Sequence, residues 1–510
     1  MAATGDIATD RATRREWIGL GVLSLTSLVV VMDLSVLHLA VPSLTRALAP
    51  SPAELLWIVD IYGFLVAGAL ITMGTLGDRI GRRRLLRIGA VAFALASAIA
   101  AFSSSSAMLI ASRALMGLAG ATLAPSTLAL LRNMFRERGD LTTAIAIWST
   151  SFAVGGILGP IVGGLLLERF WWGSVFLINV PIMAALFLLA PRLLPEFRHP
   201  SAERLDLASA ALSLAGVLGV IYGVKRLAEG DAGTASAVAV VIGLALLGAF
   251  VLRQRRLEHP FIDLRLLRST RFATLLVAFM FSATVMFSIS FFGAQFLQLD
   301  LGFSPQEAGL WSVPGAAAIV VSGLLSPALG RRFDHARLIA AGYASAGVGL
   351  ALFVQASLAS DLALYVAAWV LVGLALGPVF TFSTELILRQ AAPERAGSAA
   401  AVSETSAELG GALGIAVLGS LGVAIYRLSL AATAPPGLGA EDARAAAESL
   451  ARAREIARGL PADLGEPLLA AARAAFGEAF ATVAVVTAIA MLGTSIAVAV
   501  VFGRDLDRQA

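Results

Sequence analysis

Cysteine is absent from the 510-residue chain, which excludes disulfides, thiolate metal sites and cysteine nucleophiles. Charge is scarce as well: Asp, Glu, Lys and Arg make up 14% of the residues against 58% hydrophobic ones, and the mean hydropathy is +0.84. Such values argue against a soluble globular protein and for a chain that crosses a bilayer many times. No Walker-type phosphate loop is present, so ATP is not expected as an energy source. Nor is there a metal-ligand or nucleophile cluster, so neither an enzyme nor a bound cofactor is expected. The first apolar run outlasts any signal peptide and lacks an A-x-A-like cleavage site, so it should remain as a helix. The net charge is +4, but the arginines fall in short bursts between apolar segments. They read as topology signals, not as a nucleic-acid surface.

Apolar segments of about 20 residues predict an all-α integral membrane protein with fourteen transmembrane helices. The first six lie near 17–40, 55–76, 85–103, 107–131, 141–166 and 173–193. Two more follow near 206–226 and 234–252, then six near 272–298, 306–329, 337–357, 362–388, 398–427 and 476–503. Short loops rich in arginine stay in the cytoplasm. The bursts Arg79 to Arg87, Arg132 to Arg138 and Arg253 to Arg271 alternate with neutral turns such as 103–106, so both termini are expected on the cytoplasmic side of the cell membrane. Residues 428–475 would then be external. Their Ala/Arg/Glu-rich helical pattern, a proline-containing stretch and a second short helix predict a folded hairpin on the membrane surface.

Gly74, Leu76, Gly81, Arg82 and Arg83 recur with the same spacing as Gly323, Leu325, Gly330, Arg331 and Arg332. The tenth predicted span is therefore the counterpart of the second. This predicts a six-helix half over 1–194, an inserted helix pair over 195–257 and a second six-helix half over 258–510, with a binding site between the halves.

Asp33 stands inside an otherwise uncharged apolar run from Leu20 to Pro42. An ionisable group at mid-membrane costs roughly 2.5 to 3.5 kcal/mol on insertion scales, so its presence points to function. Asp60 follows at the start of the next span, and the two acids are expected to share a cavity. Arg113 lies well inside the fourth span, either as a counter-charge for Asp33 or as a side chain snorkelling from a helix end. Glu404 and Glu408 fall on one helical face, either within the membrane or wet at the cytoplasmic mouth. Glu385, near Arg389, reads as a solvated or paired end residue. His38 reads either as a proton relay or as an interfacial histidine. Trp57, Tyr62 and Trp148 are candidates for stacking on a cationic substrate.

Gly74-Thr75-Leu76-Gly77-Asp78-Arg79-Ile80-Gly81-Arg82-Arg83-Arg84 combines close-packing glycines with an acid suited to a helix N-terminus. This loop resembles the signature of the major facilitator superfamily; the second copy has Pro327 where Asp78 would align, so an acid-based latch (Gly74, Asp78, Arg79, Gly81, Arg82) is expected only in the first half. Leu109 to Ala121 resembles the family motif whose arginine, here Arg113, is associated with proton coupling. Gly155, Gly159, Pro160, Gly163 and Gly164 match the pattern of its drug/proton antiporters. MDLSVLHLAVP at 32–42 and WGSVFLINVP at 172–181 resemble signatures of the fourteen-helix antiporter group, and WIVDIY at 57–62 is similar to its QacA-like multidrug exporters. The resemblance implies lipophilic organic cations as substrates, an inward proton gradient, Asp33 and Asp60 as the acids, and a monomer in the lipid bilayer. Leu310 to Leu329 lacks the acid that some such exporters carry, which weakens the expectation for dications. The alternatives are export of one antibiotic or other amphiphile, and a transport-inactive membrane sensor or assembly protein.

Overall fold

A computed structural model describes residues 12–50, 52–198, 206–228, 234–257, 268–390 and 396–503. The side chains of His38, Asp60 and Pro160 lie outside the described residues. Helices α1 (Arg14–Leu48), α2 (Pro52–Ile80), α3 (Arg82–Ala101), α4 (Ser106–Met134) and α5 (Arg138–Arg169) come first. The sixth apolar segment is a short turn of helix, α6 (Ser174–Leu177), followed by α7 (Asn179–Leu193). Then follow α8 (Leu207–Ala228), α9 (Thr234–Gln254), α10 (Thr270–Gln295), which ends in a π-turn at Phe296–Asp300, α11 (Pro305–Gly330), α12 (His335–Ala359) and α13 (Leu362–Gln390). The chain finishes with α14 (Ala396–Leu413), a π-turn at Gly414–Leu418, α15 (Gly419–Thr433), α16 (Ala440–Ala446), α17 (Leu450–Gly459) and α18 (Ala462–Gly503).

Eleven stretches among the described residues are long and apolar enough to cross a membrane, or twelve when the two arms of α2, bent by 55° around Ile71, count as one span. Ala208–Val220 and Leu421–Thr433 are shorter apolar helices. The ends follow local chemistry. Ser105 accepts from the Met108 amide to start α4, and Ser304 with Glu307 forms a reciprocal capping box under Pro305 at the start of α11, satisfying donors that a helix cannot satisfy itself.

Packing repeats with the sequence repeat. In the first part α1 packs on α5, α2 on α4, α3 on α4, and α3 on α7; in the last part α10 packs on α14, α11 on α13, α12 on α13, and α12 on α18. Between the two sets, α2 packs on α14 and α5 on α11, an exchange of equivalent helices. The pair α8 and α9 pack on one another through Gly216, Gly219, Gly223 and Gly243, and α8 leans on α2. Two large buried clusters result, one formed by α1 to α7 and joined by Leu388 of α13 and Ala400 of α14, and one within α10 to α18.

The segment after Thr433 departs from expectation. The second short helix forms no separate element: it runs without a break into the last span as α18, because the Ala-rich stretch after Pro467 contains no further breaker. Nor do α16 and α17 rest only on a membrane surface. Ala446, Leu450 and Ala453 are buried, the Tyr426 hydroxyl donates to the Ala446 carbonyl at 3.0 Å, and Arg454 reaches the Gln298 carbonyl at 3.2 Å. The hairpin packs on the protein itself.

Candidate functional site

The site starts from the cost of Asp33. Its side chain is 1% exposed and that of Arg113 is 0% exposed, so each needs a partner. Arg113 Nη1 donates to Asp33 Oδ2 at 2.5 Å, and Arg113 Nε donates to the Ile58 carbonyl at 3.3 Å. The other carboxylate oxygen, Oδ1, accepts from Asn179 Nδ2 at 2.8 Å, and the same amide lies 3.3 Å from Ser97 Oγ. The guanidinium carbon stands 4.6 Å from the centre of the Tyr62 ring and 5.9 Å from that of Phe176, a cation–π enclosure that excludes water. Six elements therefore meet around this charge pair: α1, α2, α3, α4, α6 and α7.

Local sequence sets these positions. On α5, a Cβ at Gly155 would strike the Leu28 carbonyl, and one at Gly163 would come within 2.8 Å of Val36. These two glycines, eight residues apart, bring α1 and α5 into close contact along the antiporter-like stretch. Gly159 is buried in the same crossing, whereas Gly164 faces open space. Pro181, two residues after Asn179, carries no amide hydrogen and suits the first turn of a helix, so α7 begins where Asn179 can face Asp33.

The sequence-derived residues do not all converge. Asp33, Arg113 and Tyr62 do, and the Asp33 carboxylate is enclosed, with Arg113 on one oxygen and Asn179 on the other. Trp57 is 40% exposed and stacks on Tyr222 of α8. Trp148 is buried and donates to Thr127 at 3.1 Å. With Tyr62 under Arg113, the three aromatic residues make three different contacts. Glu404 and Glu408 are half-buried on α14, which packs against α2, α4 and α10. That helix begins at Ala396, so both acids sit inside it and not before its start. The two interact electrostatically with each other, and Glu408 with Tyr62.

The loop at 74–84 forms a closed corner. Arg82, 1% exposed, pairs with Asp78 one turn earlier. Gly81 has φ +106, and a Cβ there would lie 2.5 Å from Glu196, so glycine is required on both counts. Arg83 donates to the Leu194 carbonyl at 3.0 Å and pairs with Glu196 at 3.4 Å. Gly74 is buried and Arg79 half-buried. These contacts of Arg82 and Arg83 tie the corner to the first helix set. A polar contact between the sets comes from elsewhere: Thr142 on α5 donates to Glu385 on α13 at 2.7 Å. Glu385 is not solvated but fully buried, and pairs with Arg389 at 2.7 Å.

Asn179 and Thr142 were not singled out from the sequence. Asn179 lies within the WGSVFLINVP stretch, where an amide in an apolar run was the available signal. Thr142 carried none.

Comparisons with known proteins agree with this architecture. The profile of the Major Facilitator Superfamily matches residues 23–415. The multidrug efflux pump LfrA of Mycolicibacterium smegmatis is 40% identical over 500 residues, covering 98% of this chain and 99% of its own. The methyl viologen resistance protein SmvA of Salmonella typhimurium is 35% identical over 470 residues, covering 91% and 93%. The crystal structure of the human organic anion transporter MFSD10 shares the fold with a TM-score of 0.60 at 17% identity, covering 94% of this chain and 99% of its own. This multi-pass membrane protein belongs to the major facilitator superfamily, whose members are transporters and not enzymes.

Proposed function

We propose that the chain exports lipophilic organic cations across the cytoplasmic membrane in exchange for protons, as a monomer working by alternating access. The observation that carries this reading is the enclosed carboxylate of Asp33 with its arginine partner. A charge pair of this kind is a poor stabiliser, since satisfying both ions inside an apolar medium roughly cancels their attraction. It is well suited to a carboxyl that exchanges a proton when its partner moves. Tyr62 lies under Arg113 and interacts electrostatically with Glu408, so Glu404 and Glu408 are assigned as the acids that meet the substrate, with Asp60 as a further acid of the first half. Asp78, Arg79 and Arg82, with Gly74 and Gly81, are assigned as the corner that stays rigid while the halves move. Gly155, Gly159, Pro160, Gly163 and Gly164 are assigned as the crossing that links α5 to the Asp33 helix.

The names of the relatives support drug export, and methyl viologen is a bipyridinium dication, which bears on the absence of an acid between Leu310 and Leu329. The repeated packing supports fourteen spans in two six-helix halves, 1–194 and 258–510, around the inserted pair of 195–257, with both termini cytoplasmic. The test is ethidium efflux from loaded proteoliposomes in a medium more acidic than the lumen. The gradient should accelerate efflux by the unaltered protein and leave Asp33→Asn at the rate of protein-free vesicles. Gradient-accelerated efflux by Asp33→Asn would overturn the role of Asp33. Competition by uncharged amphiphiles, with none by organic cations, would reassign the substrate class.

A further inference from the structure

The two oxygens of Asp33 are held from different helices: Oδ2 by Arg113 on α4, and Oδ1 by Asn179 on α7. These partners differ in what they tolerate. A guanidinium only donates, so it suits the carboxylate alone. A carboxamide has both faces: its NH2 donates to a carboxylate, and after a half-turn of χ2 its oxygen accepts from a carboxylic acid. Asn179 is 0% exposed, and its Oδ1 has no hydrogen-bond partner among the described residues. It is placed to keep a grip on Asp33 after Arg113 has let go.

We propose that Asn179 is a positioning residue that holds Asp33 in both protonation states and sets the pH at which Asp33 exchanges its proton. This rests on the reading of Asp33 as the proton-carrying acid. The groups facing the carboxyl are Arg113 from α4, Tyr62 from α2 and Asn179 from α7, with Ser97 of α3 behind the amide. Phe176 of α6 covers Arg113, and α5 meets α1 through its glycines. Glu408 of α14 acts on Tyr62. The side chains of Asp60 and His38 lie outside the described residues.

The measurement is ethidium binding to the full chain in detergent across pH. Binding by the unaltered protein should strengthen as pH rises through the point where Asp33 loses its proton. In Asn179→Leu the carboxylate loses a charge-assisted hydrogen bond, which should move the midpoint up by about one pH unit. Asn179→Asp keeps the shape of the side chain and adds a second acid, so its midpoint should rise as well; it decides the matter alone if the leucine variant fails to fold. Ser97→Ala touches only the far side of the amide and should shift the midpoint less. An unchanged midpoint in Asn179→Leu, or in Asn179→Asp alone where the leucine variant does not fold, with pH dependence lost in Asp33→Asn, would overturn the role of Asn179 and leave the proton reading standing. Survival of the pH dependence in Asp33→Asn would overturn the proton reading itself.

Discussion

Arg113 makes two contacts that only a planar fork can make together, one to the Ile58 carbonyl and one to Asp33. Arg113→Lys keeps the charge but cannot span both acceptors. It should yield a folded protein with much reduced gradient-driven efflux, read in the same vesicles. Arg113→Ala is harsher, because it leaves a buried carboxylate unpaired at a cost of about 3–5 kcal/mol. Its thermal midpoint in detergent should fall well below that of the unaltered protein, and an equal midpoint would contradict the enclosed pair. The pairing of Asp33 with Arg113 was legible in the sequence because two charges in apolar helices demand each other. Asn179 was not, since an uncharged amide carries no such demand and its partner lies 146 positions away. The scatter of Trp57, Tyr62 and Trp148 was hidden for the same reason: an aromatic side chain packs equally well in many places.

The crossing of α1 and α5 depends on backbone contact at Gly155, where the obstacle to a side chain is the Leu28 carbonyl and not a mobile side-chain tip. Gly155→Val should destabilise the protein by about 1–3 kcal/mol, seen as a lower thermal midpoint. Gly164→Ala, whose new methyl meets nothing within 4 Å, should be neutral. At the foot of α8 and α9, Asp206 accepts from Arg253 at 2.8 Å and from Ser209. The Arg253 guanidinium, ahead of Ser209, holds this carboxyl well below the usual carboxylate range. A lowered value stabilises the fold above the ordinary range of about 4 and loses that contribution as pH falls. Arg253 is 43% exposed, so solvent screens the pair and keeps the effect small. Thermal midpoints of Asp206→Asn and the unaltered protein should differ slightly at neutral pH and converge in acid. The helices themselves were legible from apolar length. The fusion of the last short helix into α18 was not, because a single proline near a helix start permits either outcome.

The two helix sets touch along α5 with α11 and α2 with α14; the sequence repeat predicted two halves, but neither these helix pairs nor the side chains that cross. Thr142 with Glu385 is one such contact. Another is Gly323, where a Cβ would approach Thr150 to 2.8 Å. If the Thr142 contact holds one end of the molecule shut, Glu385→Gln and Thr142→Val should open it. The chain has no cysteine, so Thr150→Cys introduces a single reporter at the α5 and α11 contact. Its alkylation should be faster when either substitution is added; an unchanged rate would show that the contact does not hold the halves. The central claim, that cation binding is coupled to loss of the proton from one enclosed carboxyl, has a direct test that needs no membrane. Ethidium added to the purified chain in weakly buffered detergent solution should release protons in proportion to the complex formed, and Asp33→Asn should release none. Binding without proton release by the unaltered protein, or equal release by both proteins, would contradict the account.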